Sequence, residues 1–480
     1  MVRPLALAQF IASYAGTNMN VAISTIAKDL NTSVIGMQTA ITVFTLTMAS
    51  LMIPGSKLTD IAGRKRCFML GLGIYGTGAL LASFSPGLGV MVIGYSVLEG
   101  IGSALMIPPI YILVTIWFED VQSRAKYFGI VSGAGGLGAA AGPLIGGVIT
   151  SAISWRASFW LQVIVVACIV FLGRRMFDPP YTTPRPRFDL VGAVLSAAGL
   201  FFLVLGILLS RSYGWFSCRE DFKIADTVVI PKGGLSPVWI AVAIGAFFLF
   251  WFFMHIRGAE KAGREPLLHT RLFKNRTANL GLGTQTIQWL VLQGAFFVIS
   301  VFLQDVRHYN AVKTGLMLTP ATIGILLASL LAPRFARRHP QRWLVVAGFL
   351  INTAGVVLLL AMGRADSAVW TFMPGLFLMG IGVGTMLTSS VNIVQSAFPE
   401  SDQGDISGLS RSVSNLGSSL GTALVGSVLA AQLLPGNKDF AASMVMLAVF
   451  SVIGLVLGFL IPGRVRRGHS ASSTSRPSAT

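Results

Sequence analysis

Long apolar stretches, each about as long as a membrane-spanning helix, alternate with short polar breaks along almost the whole chain. A helix crosses a bilayer with about 20 mostly apolar residues. We predict fourteen spans, and they are 5–27, 37–58, 67–85, 89–113, 127–150, 155–172, 190–209, 237–256, 278–303, 313–333, 342–362, 369–397, 407–433 and 440–462. The pattern therefore predicts an all-α polytopic membrane protein.

The composition excludes a water-soluble globule. Of the 480 residues, 54% are hydrophobic and only 11% are charged, which leaves too little polar surface for a soluble protein of this length. The sequence has no Gly-Lys-Ser/Thr element to hold a nucleotide phosphate, and its five histidines lie at or beyond the ends of the predicted spans. We therefore expect no enzyme activity, no metal site and no cofactor.

The positive charge reports how the chain is oriented in the membrane. The formal net charge is +18, and 26 of the 36 Lys and Arg residues fall in loops on the side of the turn at residues 55–66. Because cytoplasmic loops carry an excess of Lys and Arg, we predict that this side and both termini are cytoplasmic in a plasma-membrane protein. Anionic lipid headgroups, and not nucleic acid, are the expected partners of this face.

Two polar linkers divide the predicted spans into groups of six, two and six. We predict an N-terminal six-helix bundle over 1–173, a linker with two extra helices over 174–276, a C-terminal six-helix bundle over 277–462 and a disordered cytoplasmic tail over 463–480. Both bundles have a basic turn after their second span, at residues 60–66 and 334–342. Duplicated halves of this kind suit transport by alternating access.

The turn after the second span combines glycines, an acid and a cluster of cations. It reads Gly55-Ser-Lys-Leu-Thr-Asp60-Ile-Ala-Gly63-Arg64-Lys65-Arg66. Gly55 permits close helix packing, Gly63 permits a tight turn and Asp60 can pair with cations between the halves. An anchor that only follows the charge bias of membrane proteins needs neither the acid nor the glycines.

The fifth span carries a stripe of glycines around a proline. It reads Gly138-Ala-Ala-Ala-Gly142-Pro143-Leu-Ile-Gly146-Gly147. The glycines at 138, 142 and 146 share one helical face and let a neighbouring helix approach closely, while the proline removes a backbone hydrogen bond and bends the helix. A generic small-residue packing face explains the glycines equally well.

With these two motifs the sequence resembles the major facilitator superfamily, and within it the fourteen-helix family of drug:proton antiporters. Weaker similarity extends over nearly the whole chain. The resemblance implies a fold of two six-helix bundles with a two-helix insert, a gating role for the turn at 55–66 and an exporter's motif at 138–147. It also implies proton-coupled export of amphipathic small molecules or drugs, with the proton gradient as energy source; we expect a monomer.

Charged residues that are usual in members of this family are replaced in this sequence. Ala15 stands where an aspartate is usual, and Ser96 and Glu99 stand where arginine and glutamine are usual. Of the 18 acidic residues only Glu99 lies deep in an apolar span, where Ser96, Glu99 and Ser103 share one helical face. A carboxyl group there is costly unless it is paired, hydrated or protonated. We predict that Glu99 binds the coupling proton or a cation; a protonated acid that only bonds a neighbouring helix is the alternative.

Polar stripes on four spans are candidates to line a substrate cavity. They contribute Asn18, Asn20, Ser96, Ser103, Gln285, Gln288, Trp289, Arg411 and Asn415. Each stripe equally suits hydrogen bonding between helices, and Arg411 also suits an interfacial anchor. Alternative functions are uptake or uncoupled diffusion through the same fold, and a non-transporting membrane sensor or scaffold.

Overall fold

A computed structural model describes residues 2–32, 34–118, 120–178, 187–224, 227–309, 311–336, 338–362, 367–399, 402–431 and 438–462. The predicted tail at 463–480 and the side chains of two candidate residues, Asn20 and Pro143, lie outside the described residues.

The described residues form fourteen helices of 19 residues or more. They are α1 (Val2–Asp29), α2 (Val34–Ala62), α3 (Arg64–Ser83), α4 (Leu88–Trp117), α5 (Val121–Ala152), α6 (Trp155–Gly173), α7 (Leu190–Tyr213), α8 (Pro237–Lys261), α9 (Arg276–Val301), α10 (Ala311–Ala336), α11 (Gln341–Met362), α12 (Met373–Ser396), α13 (Gln403–Ala431) and α14 (Lys438–Leu460). Side-chain caps fix several starts: Ser236 accepts the Val238 N–H at α8, and Asn275 accepts the Ala278 N–H at α9.

Within the described ranges, eleven helices are long and apolar enough to cross a membrane. Helix α5 is bent by 42° between Lys126–Ala139 and Leu144–Ala152, and counting it as one span gives up to twelve. Helices α1 and α13 fall short because polar residues interrupt their apolar stretches. The predicted helical membrane fold is confirmed, whereas the number of fourteen membrane spans stays a prediction.

The helices pack as two sets of six that meet along two seams. In the first set α1 packs on α5 and α3 packs on α4; in the second α9 packs on α13 and α11 packs on α12. The sets meet where α5 contacts α10 and α12, and where α2 contacts α13. The exact domain boundaries stay predictions.

The two extra helices form a hairpin on the side of this assembly. Helix α7 packs on α8 and also contacts α2 and α13. Asp189 caps α7 by accepting the Gly192 N–H at 2.9 Å, and it also meets His255 Nε2 of α8 at 2.9 Å. The connection between the helices contains a short antiparallel pair, β1 (Phe222–Ile224) and β2 (Thr227–Ile230).

The glycine stripe of α5 faces α1. A Cβ atom built on each of these glycines would overlap an atom of α1. The Cβ would stand 2.1 Å from the Phe10 carbonyl oxygen at Gly138, 2.0 Å from Thr17 Oγ1 at Gly142 and 1.8 Å from Asn18 Oδ1 at Gly146. Gly147 is buried next to this contact. The two helices therefore approach each other as closely as only glycine permits.

Gly138→Ala is expected to destabilise the protein by about 1–3 kcal/mol, because the added methyl group overpacks the α1–α5 contact. Gly73→Ala is the matched control: a Cβ on Gly73, in α3, has no atom within 4 Å, and alanine favours a helix over glycine. Thermal unfolding of both variants in detergent compares the two. A midpoint for Gly138→Ala at or above that of the wild type would contradict the packing described.

Candidate functional site

A narrow pocket lies where the two sets of helices meet. It is lined by Gln9, Tyr111, Ser132, Gly135, Gly136, Trp289, Leu387, Val391 and Arg411, which come from α1, α4, α5, α9, α12 and α13. Mostly apolar and aromatic walls with a few convergent polar groups are typical of small-molecule sites. Its volume of about 10 Å³ is roughly the room that one water molecule needs, so the pocket is too small for a drug-sized molecule in this conformation.

An arginine and a tyrosine join the two sets of helices in this pocket. The Arg411 guanidinium of α13 lies 4.0 Å from the ring centroid of Tyr111 in α4, a cation–π contact. The Tyr111 hydroxyl donates a hydrogen bond to Gln9 Oε1 of α1 at 3.3 Å. Within the described chain, the indole Nε1 of Trp289 is buried without a hydrogen-bond partner.

Trp289 and Arg411 are the predicted cavity residues that line the pocket. Gln285 and Gln288 instead accept hydrogen bonds from Ser410 and Ser390, each at 2.8 Å. These bonds tie α9 to α13 and α12. Both glutamines therefore follow the alternative interpretation, hydrogen bonding between helices.

The remaining candidates lie elsewhere in the described structure. Ser96 donates to the Ala40 carbonyl oxygen of α2 at 2.7 Å. Asn18 and Ser103 are buried, and Asn415 is half-buried one turn from Arg411. None of these lines the pocket as it is described.

Most of the residues that line the pocket are not among the predicted cavity residues. Gln9 precedes Ser13 by one turn and donates to it at 3.4 Å, so the polar stripe of α1 extends back to Gln9 and could have indicated it. Tyr111, Leu387 and Val391 carried no such signal, because each looks like an ordinary apolar position of a membrane helix.

Glu99 lies outside the pocket, inside the first set of helices. Its side chain is 0% exposed, and neither carboxyl oxygen has a hydrogen-bond partner in the described part of the chain. The phenols of Tyr75 in α3 and Tyr95 in α4 are close enough to interact with it electrostatically. The Tyr75 hydroxyl donates to Gln162 Oε1 of α6, and the same phenol lies against the Glu99 carboxyl group.

A π-helical segment, Val92–Leu98, precedes Glu99 in α4. Ser96 bonds to α2, whereas Glu99 lies beside Tyr75 of α3. The wider turn of a π-helix rotates the residues on either side of it relative to α-helical spacing. Tyr95, in the same segment, donates to the Ala15 carbonyl oxygen of α1 at 3.5 Å.

An ion pair joins α2 to α13 at the end of the molecule that carries Arg64, Lys65 and Arg66, here called the basic end. Lys57 Nζ lies 3.0 Å from Asp405 Oδ1, and the two side chains are 6% and 2% exposed. The other oxygen of Asp405 lies 3.0 Å from Nδ1 of His269. Beside this pair the Ser56 hydroxyl donates to the Gly404 carbonyl oxygen.

Asp60 lies against the first turn of α13. A Cβ built on Gly404 would stand 1.7 Å from Asp60 Oδ2, so only glycine lets the carboxylate approach. We call these contacts, made by Ser56, Lys57, Asp60, Gly404 and Asp405, the α2–α13 clamp.

The rest of the turn supports the clamp. Gly55 lets α2 approach α4, since a Cβ on it would stand 2.5 Å from the Ala104 carbonyl oxygen, and Gly63 has φ +111°. Arg64 is buried, and Arg66 is exposed. The backbone N–H of Lys65 donates to Asp178 Oδ2 at 3.1 Å, which fixes the turn against the segment after α6.

The clamp and the pocket are adjacent. Asp405 and Arg411 are six residues apart in α13, a distance of about 9 Å along the helix axis. The clamp therefore lies between the pocket and the basic end. Along the other seam, α5 and α10 meet from Gly133 and Ser329 to Leu144 and Gly315.

Two sets of membrane helices around a shared, closable pocket define a transport protein. Among the described residues no group of three or more His, Cys, Asp and Glu is placed to hold a metal ion. The profile of the Major Facilitator Superfamily matches residues 5–422 and, in a second match, 284–479. The chain belongs to the Major Facilitator Superfamily, and it is a transporter and not an enzyme, as predicted.

Relatives over most of the chain carry names from drug resistance and export. The multidrug resistance protein Stp of Mycobacterium tuberculosis is 26% identical over 415 residues, which are 86% of this chain and 73% of that protein. The cephamycin export protein CmcT of Amycolatopsis lactamdurans is 26% identical over 475 residues, 96% and 91% of the two chains.

A solved structure shares the fold. The human organic anion transporter MFSD10 (TETRAN) matches with a TM-score of 0.62 and 13% identity, over 95% of this chain and 98% of that one. Membership of the fourteen-helix drug:proton antiporter family stays a prediction.

Proposed function

We propose that this transporter exports an amphipathic or lipophilic small molecule by alternating access. The observation that carries the proposal is the pocket between the two sets of helices, with the α2–α13 clamp on its basic-end side. Opening the clamp would expose the pocket to one side of the membrane, and separating α5 from α10 would expose it to the other. Relatives named for drug resistance and antibiotic export support the outward direction.

We further propose that protons drive this export through Glu99. A lone carboxyl group, fully buried between membrane helices, is a functional candidate by default. Its place beside Tyr95, which bonds to Ala15, supports the idea that Glu99 replaces the aspartate usual at position 15. Holding it ionised without a cation costs far more than holding it protonated. Glu99 would therefore carry a proton in the closed conformation and release it when the helices around it part.

In this proposal the basic end faces the cytoplasm of a plasma-membrane protein, with both termini on that side. Anionic lipid headgroups would contact its Lys and Arg side chains. The protein would act as a monomer without a cofactor, with the proton gradient as its energy source.

Antibiotic and dye accumulation in bacteria that lack their own drug exporters tests the direction of transport. Cells that produce the protein are expected to hold less of a transported compound than control cells, and the difference is expected to vanish when a protonophore collapses the gradient. Greater accumulation would favour uptake. Equal accumulation in producing and control cells for every compound tried, with the protein present in the membrane, would favour a non-transporting sensor or scaffold.

A further inference from the structure

Arg411 brings a positive charge into the pocket without an acidic counterpart. Among the described residues it is the one charged side chain in the lining, it is 7% exposed, and no acidic side chain forms an ion pair with it. Its contact in the pocket is the face of the Tyr111 ring. A buried cation without an anion is costly, and a negatively charged ligand would remove that cost.

None of the described acids around the pocket is placed to neutralise Arg411. Asp60 lies against Gly404, seven residues from Arg411 in α13. Asp405, six residues earlier in α13, is already paired with Lys57 and His269. Glu99 precedes Tyr111 by twelve residues of α4, a distance of about 18 Å along the axis, and it lies outside the pocket lining.

The other polar groups of the pocket also favour an acceptor. Trp289 Nε1 is buried without a partner in the described structure, and an indole N–H can only donate. The Gln9 carbonyl, an acceptor, is already used by the Tyr111 hydroxyl. Ser132 Oγ is also buried without a partner in the described structure, and its hydroxyl can donate a further hydrogen bond. The remaining walls are apolar, with Leu387 and Val391 lining the pocket together with the glycines of α5.

From these observations we infer that the pocket selects an amphipathic anion: an apolar, aromatic body that carries a carboxylate, sulfonate or phenolate group. The guanidinium of Arg411 would bind the anionic group with paired hydrogen bonds, Trp289 Nε1 would donate to a further oxygen, and the apolar body would pack on the α5 and α12 walls. This inference rests on the proposed function, because it takes the pocket to be the transport site.

Two dyes with the same three-ring frame and opposite charge test the inference. Fluorescein methyl ester is an anion near neutral pH and rhodamine 123 is a cation. Binding of each to the purified protein is measured by fluorescence anisotropy in detergent. The wild type is expected to prefer the anion, and Arg411→Gln is expected to weaken anion binding by about tenfold to a hundredfold, as the loss of a charged hydrogen bond does.

Two further variants separate charge from folding. Arg411→Lys keeps the charge but loses the planar fork, and an intermediate affinity for the anion is expected. Arg264→Gln removes an exposed cation of the linker after α8 and is expected to bind as the wild type does. Size-exclusion profiles equal to that of the wild type establish that each variant is folded.

The outcomes separate this inference from the proposed function. Equal or tighter binding of the cation, no binding of either dye, or an anion preference that survives Arg411→Gln overturns the inference and leaves export to be judged by the accumulation assay. Anion binding that depends on Arg411 supports the inference even if cells show no export, in which case the proposed function fails alone.

Discussion

Asp405→Asn is expected to open the basic end of the transporter. The substitution keeps the shape of the side chain but leaves Lys57 buried without its partner, and removing one member of a buried ion pair costs about 3–5 kcal/mol. Opening the clamp returns Lys57 to water and relieves much of that cost. The equilibrium therefore shifts toward the open conformation, by at least tenfold if about 1.4 kcal/mol of the cost is relieved.

Thiol labelling measures this opening. Ser407 is 1% exposed beside the clamp, so a thiol introduced by Ser407→Cys, with the three native cysteines replaced by serine, should react slowly in the closed state. Asp405→Asn is expected to raise the labelling rate at least tenfold. Lys261→Met is the matched control, because it removes an exposed charge at the end of α8 and should leave the labelling rate unchanged.

A double variant identifies the cause. Lys57→Met combined with Asp405→Leu replaces the ion pair by apolar side chains that need no counter-charge, so slow labelling should return. A labelling rate in Asp405→Asn equal to that of the parent would show that the ion pair does not hold the basic end closed.

Glu99→Gln is expected to abolish accumulation driven by a proton gradient. Glutamine has nearly the same shape but no proton to release at this position. A gradient of one pH unit supports about a tenfold concentration ratio for each proton exchanged. In proteoliposomes, the wild type should therefore accumulate substrate up to about a tenfold concentration ratio, whereas Glu99→Gln should leave equal substrate concentrations on both sides. Exchange of labelled for unlabelled substrate should continue in the variant.

Glu265→Gln is the matched control, because this glutamate is exposed in the linker after α8. It should accumulate substrate as the wild type does. Accumulation and pH dependence that survive Glu99→Gln would remove Glu99 from the coupling mechanism and leave it as a structural acid among the tyrosines of the first helix set.

The helices and the close contacts were predictable because both depend on local properties of the chain. The lipid environment sets a minimum apolar length, and the span predicted at 155–172 corresponds to the helix Trp155–Gly173. Glycine lacks a Cβ wherever it stands, so the close approaches at Gly55 and Gly138 followed from the residue type.

The site was less predictable because it depends on contacts between distant segments. Lys57 and Asp405 are separated by 348 positions in the chain, and neither carries a local signal that they pair. The π-helical segment Val92–Leu98 before Glu99 carries no local signal in the sequence either. Tyr111 belongs to the pocket because Arg411 of a distant helix lies over its ring.

The most direct test of proton-coupled export is whether a substrate gradient drives proton movement across the membrane. Proteoliposomes are loaded with a pH-sensitive dye, and a substrate gradient is imposed without an initial pH gradient. Substrate flowing down its gradient should move protons the opposite way and change the internal pH, and Glu99→Gln should abolish the pH change while substrate still equilibrates. Substrate movement through the wild type without any pH change would contradict coupling and identify the protein as a facilitator.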